Sequence, residues 1–167
     1  MDTIITESAE STKNAGSNLA KKLKKQPNGK KEALVIALLG DLGSGKTTFI
    51  QGLAAGLGVK ESVLSPTFLI LKQFPISFKG YANFYHIDAY RLKNPKELSE
   101  LGFKDLIDNP ENIIVIEWAD KVRKILPKSV LLIKFKNLGR NVRKITFNSK
   151  RKTQISKPQL KTKNFKI

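Results

Sequence analysis

Cysteine is absent from these 167 residues, so neither a disulfide nor a thiolate-held metal can form. A single histidine excludes most imidazole-based metal centres. Acids are scarce: 14 Asp and Glu stand against 31 Lys and Arg, a net charge of +17. That excess draws the chain toward polyanions such as RNA, although a lysine surplus spread along the whole chain also arises from compositional drift. Arginine is rare, limited to Arg91, Arg123, Arg140, Arg143 and Arg151. No apolar run approaches the ~20 residues of a membrane span. The first residues, Met1 to Glu7, are acidic and lack the apolar core of a secretion signal. The expectation is a cytoplasmic protein built on one domain, with enough length for a real core.

What is present is more specific. Gly40-Asp41-Leu42-Gly43-Ser44-Gly45-Lys46-Thr47 fits G-x-x-x-x-G-K-[ST] without a substitution. Ala33 to Leu39 precede it as an unbroken apolar run, the mark of a strand buried on both faces. Ile50, Leu53, Ala54 and Leu57 follow at helical spacing, with Gly58 placed to end the helix. Strand, glycine loop and helix thus occur in the order the mechanism requires. Glycines at 40, 43 and 45 let successive N–H groups turn inward on an anion, and the helix start adds its unpaired donors. Asp41, Leu42, Gly43, Ser44, Gly45, Lys46, Thr47 and Thr48 are therefore the expected nucleotide-binding segment. Lys46 is expected to reach the β- and γ-phosphates, and the Thr47 hydroxyl to ligate Mg²⁺.

The rest of the chain alternates helical and extended patterns, which predicts an α/β, three-layer P-loop NTPase-like fold with a mainly parallel central sheet and flanking helices. Residues 6–25 read as an amphipathic helix, with Ala15, Leu19 and Leu23 one turn apart. A strand is expected from Ser65 through Leu71, a turn at Lys79-Gly80, and another strand over Tyr81–Ile87, the two strands paired as a hairpin across a long connection. Asn94-Pro95-Lys96-Glu97 is a helix start with cap, proline and returning glutamate. Ile113 to Ile116 form a second buried strand that closes on Glu117. A short helix then runs to Leu126, and two strands flank a turn at Leu138-Gly139-Arg140. Residues 1–147 are expected to form the ATPase domain, and residues 148–167 a basic, mobile tail.

A phosphate loop needs a carboxylate for Mg²⁺ or its water, usually at the end of a neighbouring buried strand. Glu117 and Asp88 both satisfy this, and each is equally a strand-end acid in solvent until its surroundings are known. Thr67, in a loop stiffened by Pro66, is placed to sense the γ-phosphate or simply to cap a turn. His86 and Trp118 read as neighbours and packing groups.

Taken in order, five segments resemble one family: the bacterial tRNA threonylcarbamoyladenosine biosynthesis protein TsaE, a small P-loop ATPase. They are the N-terminal helix, Gly-Asp-Leu-Gly-Ser-Gly-Lys-Thr-Thr-Phe at 40–49, Ser-Pro-Thr-Phe at 65–68, His-x-Asp-x-Tyr-Arg at 86–91, and Glu-Trp at 117–118. The resemblance covers roughly residues 6–136. It implies that Lys46 and Thr47 bind ATP·Mg²⁺, that Thr67 belongs to a switch-like loop, and that Asp88 lies at the metal and γ-phosphate. It gives Glu117 the strand-end role of ligating Mg²⁺ or positioning water. It implies Lys46, Glu117, Asp88 and Thr67 as catalytic groups, and Thr47, Asp88 and Glu117 as metal ligands. Its implied task is ATP hydrolysis alongside the TsaD and TsaB proteins, whose complex modifies adenosine 37 of ANN-decoding tRNAs. ATP turnover then supports the cycling of that complex rather than carbamoyl transfer, and tRNA is met through the complex. Ser44 stands where the family commonly has alanine, and Ala119 where it often has proline.

Other readings make different demands. A small-molecule kinase usually closes an arginine-rich lid, and five scattered arginines supply no such cluster. A GTPase needs Asn-Lys-x-Asp, which is nowhere in the chain. An RNA-binding module with a vestigial nucleotide site would rest on the +17 charge.

Overall fold

The computed structural model describes residues 2–25, 31–65 and 69–149. In chain order the elements are β1 (Asp2–Thr6), α1 (Ala9–Lys24), β2 (Leu34–Leu39), α2 (Lys46–Leu57), β3 (Leu71–Phe78) and β4 (Tyr81–Asp88). They continue with α3 (Pro95–Glu100), α4 (Phe103–Asp108), β5 (Asn112–Glu117), a 3-10 helix over Ala119–Ile125, β6 (Leu131–Gly139) and β7 (Val142–Ser149). All seven strands join one sheet in the order β1-β7-β6-β2-β5-β4-β3. The four central strands β6, β2, β5 and β4 are mutually parallel, while β7, β1 and β3 add antiparallel edges. The α/β layered fold is as expected, with the parallel character concentrated in its middle.

Period-2 alternation divides the core. Leu34, Ile36 and Leu38 of β2, with Ile113 and Val115 of β5, pack under α1 and α2. Val35, Ala37, Ile114 and Ile116 face the opposite layer, against Leu98 of α3, Phe103 of α4 and Val122 of the 3-10 helix. The same alternation aims three polar groups. On β4, Phe84 belongs to the α1/α2 side and Tyr85 and Ile87 to the other, so His86 and Asp88 lie on the α1/α2 face. Glu117, two residues beyond Val115, joins them there.

Helices α1 and α2 meet along a seam of small residues. A Cβ on Gly52 would sit 1.8 Å from the Lys13 carbonyl oxygen, and one on Gly16 2.1 Å from that of Phe49. Only glycine allows this approach. Large side chains fill the flanks of the seam: Leu19, Leu23, Phe49, Leu53 and Leu57 are all buried.

Several boundaries differ from expectation. The N-terminal helix begins at Ala9 rather than residue 6, capped by Ser8 and Ser11, and an edge strand precedes it. The first hairpin strand starts at Leu71 instead of Ser65, because Ile70 takes a left-handed turn at φ 62. The turn expected at Lys79-Gly80 forms, with φ 45 and 77, and it is the whole link to β4 in place of a long connection. The expected mobile tail lies outside the described residues, except that β7 runs on through Ser149.

Candidate functional site

Parallel strands deliver their carboxyl ends to one edge of the sheet, and in open α/β folds ligands gather there. A cavity of about 370 Å³ opens at that edge, lined by the glycine loop and by Asp88, Glu117 and Trp118 among others. The loop's conformation depends on its glycines at two points. Gly40, at φ 144, sits where a Cβ would come within 2.6 Å of the Phe135 carbonyl oxygen. Gly45, at φ 96, is the N-cap of α2 and offers no side chain to the helix start. The first backbone donors of α2 are thereby left for an anion.

Lys46 is buried within this loop, where its ammonium donates to the carbonyls of Gly40 at 2.7 Å and Asp41 at 2.8 Å. It also lies over the Trp118 ring, 4.1 Å from the centroid. Burial lowers its pKa below the ordinary lysine value, opposed by the negative charges of Glu117, Asp88 and Asp41. Trp118 holds this position from a left-handed backbone, φ 55, which is strained for a bulky residue. The same ring meets Tyr90, with ring centroids 5.0 Å apart.

The two candidate acids end adjacent strands and are register partners in the β4–β5 ladder. Glu117 is only 3% exposed and Asp88 4%. The Thr47 hydroxyl donates into the Glu117 carboxylate, 2.9 Å from Oε1 and 3.0 Å from Oε2. His86, fully buried, contributes Nε2 at 2.9 Å from the same Oε1. Asp88 has different company: the Ser65 hydroxyl donates to Oδ2 at 2.5 Å, and the Tyr90 N–H to Oδ1 at 2.9 Å.

Lys46, Thr47, Asp88 and Glu117 thus converge on one cavity with loop residues 42–45 and Thr48. Asp41 is exposed beside it, reaching Lys46 through its carbonyl. Thr67 lies outside the described residues. The available metal donors are a hydroxyl and two carboxylates, all hard oxygens suited to Mg²⁺. Among the described residues no cluster of three or more His, Asp or Glu side chains could cage an ion alone. That fits Mg²⁺, which is usually completed by phosphate oxygens and water.

Sequence reasoning missed Asn141 and Arg143, and Ser8, Ala9 and Thr12 at the start of α1, which also line the cavity. No local motif marks them, since the β6–β7 hairpin and α1 reach the loop only through the fold. His86 was read as a neighbour, which it is, and its partner is Glu117. The pattern His-x-Asp at the end of a strand was the available signal.

Known proteins resemble this chain closely. The family pattern described as "Threonylcarbamoyl adenosine biosynthesis protein TsaE" matches residues 6–145. The tRNA threonylcarbamoyladenosine biosynthesis protein TsaE of Bacillus subtilis is 39% identical over 115 residues, 69% of each chain. Its Haemophilus influenzae namesake is 39% identical over 102 residues, 61% of this chain and 62% of that protein, so that this match spans less than two thirds of the relative. The Rickettsia conorii protein of the same name is 36% identical over 154 residues, 89% of this chain and 80% of its own. Among solved structures, that of Bacillus subtilis YdiB superposes with a TM-score of 0.68 at 31% identity, covering 89% of this chain and 84% of the other. No helix among the described residues is long and apolar enough to cross a membrane. With its glycine loop, its strand-end acids and this run of relatives, the chain belongs to the TsaE family.

Proposed function

We propose that this protein binds and hydrolyses ATP with Mg²⁺, as the subunit supporting the complex that makes N6-threonylcarbamoyladenosine at position 37 of ANN-decoding tRNAs. The observation that carries this reading is the convergence of Lys46, Thr47 and Glu117 at the mouth of one glycine loop. The N–H groups of Gly43 to Thr48 cradle the phosphates, and Lys46 exchanges its carbonyl partners for β- and γ-phosphate oxygens. Thr47, Glu117 and Asp88 would hold Mg²⁺, which supplies charge neutralisation to the transferring phosphoryl group. His86 fixes the Glu117 carboxylate through its Nε2 contact. Asp88, braced by Ser65 and the Tyr90 N–H, stands ready to orient the attacking water in line with the γ-phosphate. The family relationship supports TsaD and TsaB as partners, tRNA as the object of the complex, and a cytoplasmic setting. Thr67 completes the reading as a sensor of the γ-phosphate.

The test is ATP turnover by the purified protein with Mg²⁺, alone and with TsaD, TsaB and tRNA. A low basal rate that rises with the partners is expected. Equal rates in both conditions would count against the assignment.

A further inference from the structure

We propose that the uncovered face of the sheet at β6, β7 and β1 docks the phosphate backbone of helical RNA, through Lys134, Lys136 and Lys144. The inference stands apart from the nucleotide reading, because none of these lysines lines the cavity. Phe135 of β6 and Ile145 of β7 point into the core beneath α1 and α2. Alternation therefore turns Lys134, Lys136 and Lys144 to the opposite side, where all three are exposed. Ile4 of β1 packs on the same α1/α2 core, so Thr3 and Ile5 share the lysine face. Among the described residues, the core under α3, α4 and the 3-10 helix takes in β2, β5 and β4 but reaches only Leu132 of β6. Beyond that point the face is open.

Its charge is unbalanced. Lys136 and Lys144 are register partners, directly across from one another, and like charges so placed destabilise a sheet. Among the described residues no carboxylate forms an ion pair with either, or with Lys134. The acids on this side are carried by α3 and α4, as Glu97, Glu100, Asp105 and Asp108, and α4 packs on β5, two strands from β6. Lysine often guards an exposed sheet edge against pairing. That role does not account for these three, since β6 and β7 are interior strands, while the edge strand β1 presents Thr3 and Ile5. The lysines stand with the hydroxyls of Thr3 and Thr146, themselves 3.2 Å apart. Ammonium and hydroxyl donors are the groups that contact nucleic-acid phosphates. Phe135 and Phe147 both belong to the other side of the sheet, so the face has no ring on which an unpaired base could stack. Helical RNA, read by its backbone and without regard to sequence, is the partner this donor set fits.

The test titrates the full chain with two short RNA duplexes of unrelated sequence over a salt series, without nucleotide. Wild type is compared with a face variant, Lys134→Gln with Lys136→Gln and Lys144→Gln. A control variant, Lys21→Gln with Lys60→Gln and Lys93→Gln, removes the same charge from exposed lysines elsewhere. Residues 150–167 stay in every protein. Wild type is expected to bind both duplexes alike. The face variant is expected to bind both roughly tenfold or more weakly, with a log–log salt slope shallower by about 3, nearly one for each lost phosphate contact. The control keeps the wild-type slope. Lys136→Gln alone relieves the like-charge pair, so it folds at least as well as wild type, and its slope is expected to be shallower by about 1. This single variant carries the test if the triple one does not fold. An unchanged slope in the face variants overturns the proposal, as does an equal loss in face and control variants, or a wild type that binds neither duplex. Polyglutamate binding that depends on the same three lysines as strongly as RNA binding does would assign the face to an acidic protein and overturn it too.

Discussion

Asp88 and Glu117 are register partners on adjacent parallel strands, yet their carboxylates hold separate companions. Glu117 takes Thr47 and His86, and Asp88 takes Ser65 and the Tyr90 N–H. The two acids therefore differ in surroundings although they share a face and a depth, and the proposed division of labour follows those partners. Glu117→Gln keeps an acceptor for His86 and removes the charge, so nucleotide binding is expected to survive better than turnover. Turnover is expected to fall by about 10²-fold or more, since a neutral amide holds the ion that neutralises the transferring phosphoryl group less well than a carboxylate does. Asp88→Asn is expected to lower turnover with a smaller effect on Mg²⁺ dependence. Titrating Mg²⁺ against the rate for each variant separates them, and identical Mg²⁺ curves would refute the division.

Lys46 links binding to protons. Its pKa in the free protein is lowered by burial, and phosphate oxygens beside it will raise it again. Below the lowered value the lysine is charged in both states and affinity is flat. Above it, binding takes up a proton and affinity falls as pH rises. The free fold responds in the opposite sense, gaining stability as pH climbs from that lowered value toward 10.5, because the unfolded chain then binds more protons. Calorimetry of ADP binding at alkaline pH, in buffers of differing ionisation heat, measures the uptake. Zero net proton uptake would place the lysine charge elsewhere.

Trp118 is the only tryptophan in the chain, and the Lys46 ammonium sits on its ring. Moving Lys46 onto phosphate removes that cation. Intrinsic fluorescence is expected to change on adding Mg·ATP, and the change is expected to disappear in Lys46→Met. A flat signal during binding that calorimetry detects would mean the lysine stays on the ring.

Gly52→Ala tests the seam between α1 and α2. The added methyl would lie 1.8 Å from the Lys13 carbonyl oxygen, so the helices must separate. Overpacking of this kind is expected to cost about 3 kcal/mol, lowering the melting temperature by roughly 6–12 °C. Unchanged melting would show that the seam has slack.

Much of this was legible because the signals were local. The run 33–39, the glycine loop and the α2 pattern identify their elements without reference to the rest of the chain. So does Asn94-Pro95-Lys96-Glu97, whose capping box forms as read. Both acids could be found by their place at strand ends. Their partners could not, since the choice of Thr47 or Ser65 is made by three-dimensional neighbours. The strand β1 escaped notice because Asp2–Thr6 has little pattern of its own and is held by β7. Gly52 and Gly56, four apart and set against Lys13 and Ala20, were a readable sign of close helix contact that the apolar pattern overshadowed. Arg143 carried no sign at all.

The pairing of β1 with β7 also sets a timetable for synthesis. Thr3 meets Thr146 across 143 positions, and β1 has no other neighbour in the sheet. A growing chain that emerges N-terminus first must keep β1 waiting until β7 has left the ribosome. Meanwhile β2, α2 and β5 can already begin to collapse. Closing so distant a pair is slow by its topology. β1 is then among the last strands to dock, whereas α1, close to α2 in the chain, is free to settle against it long before β7 arrives.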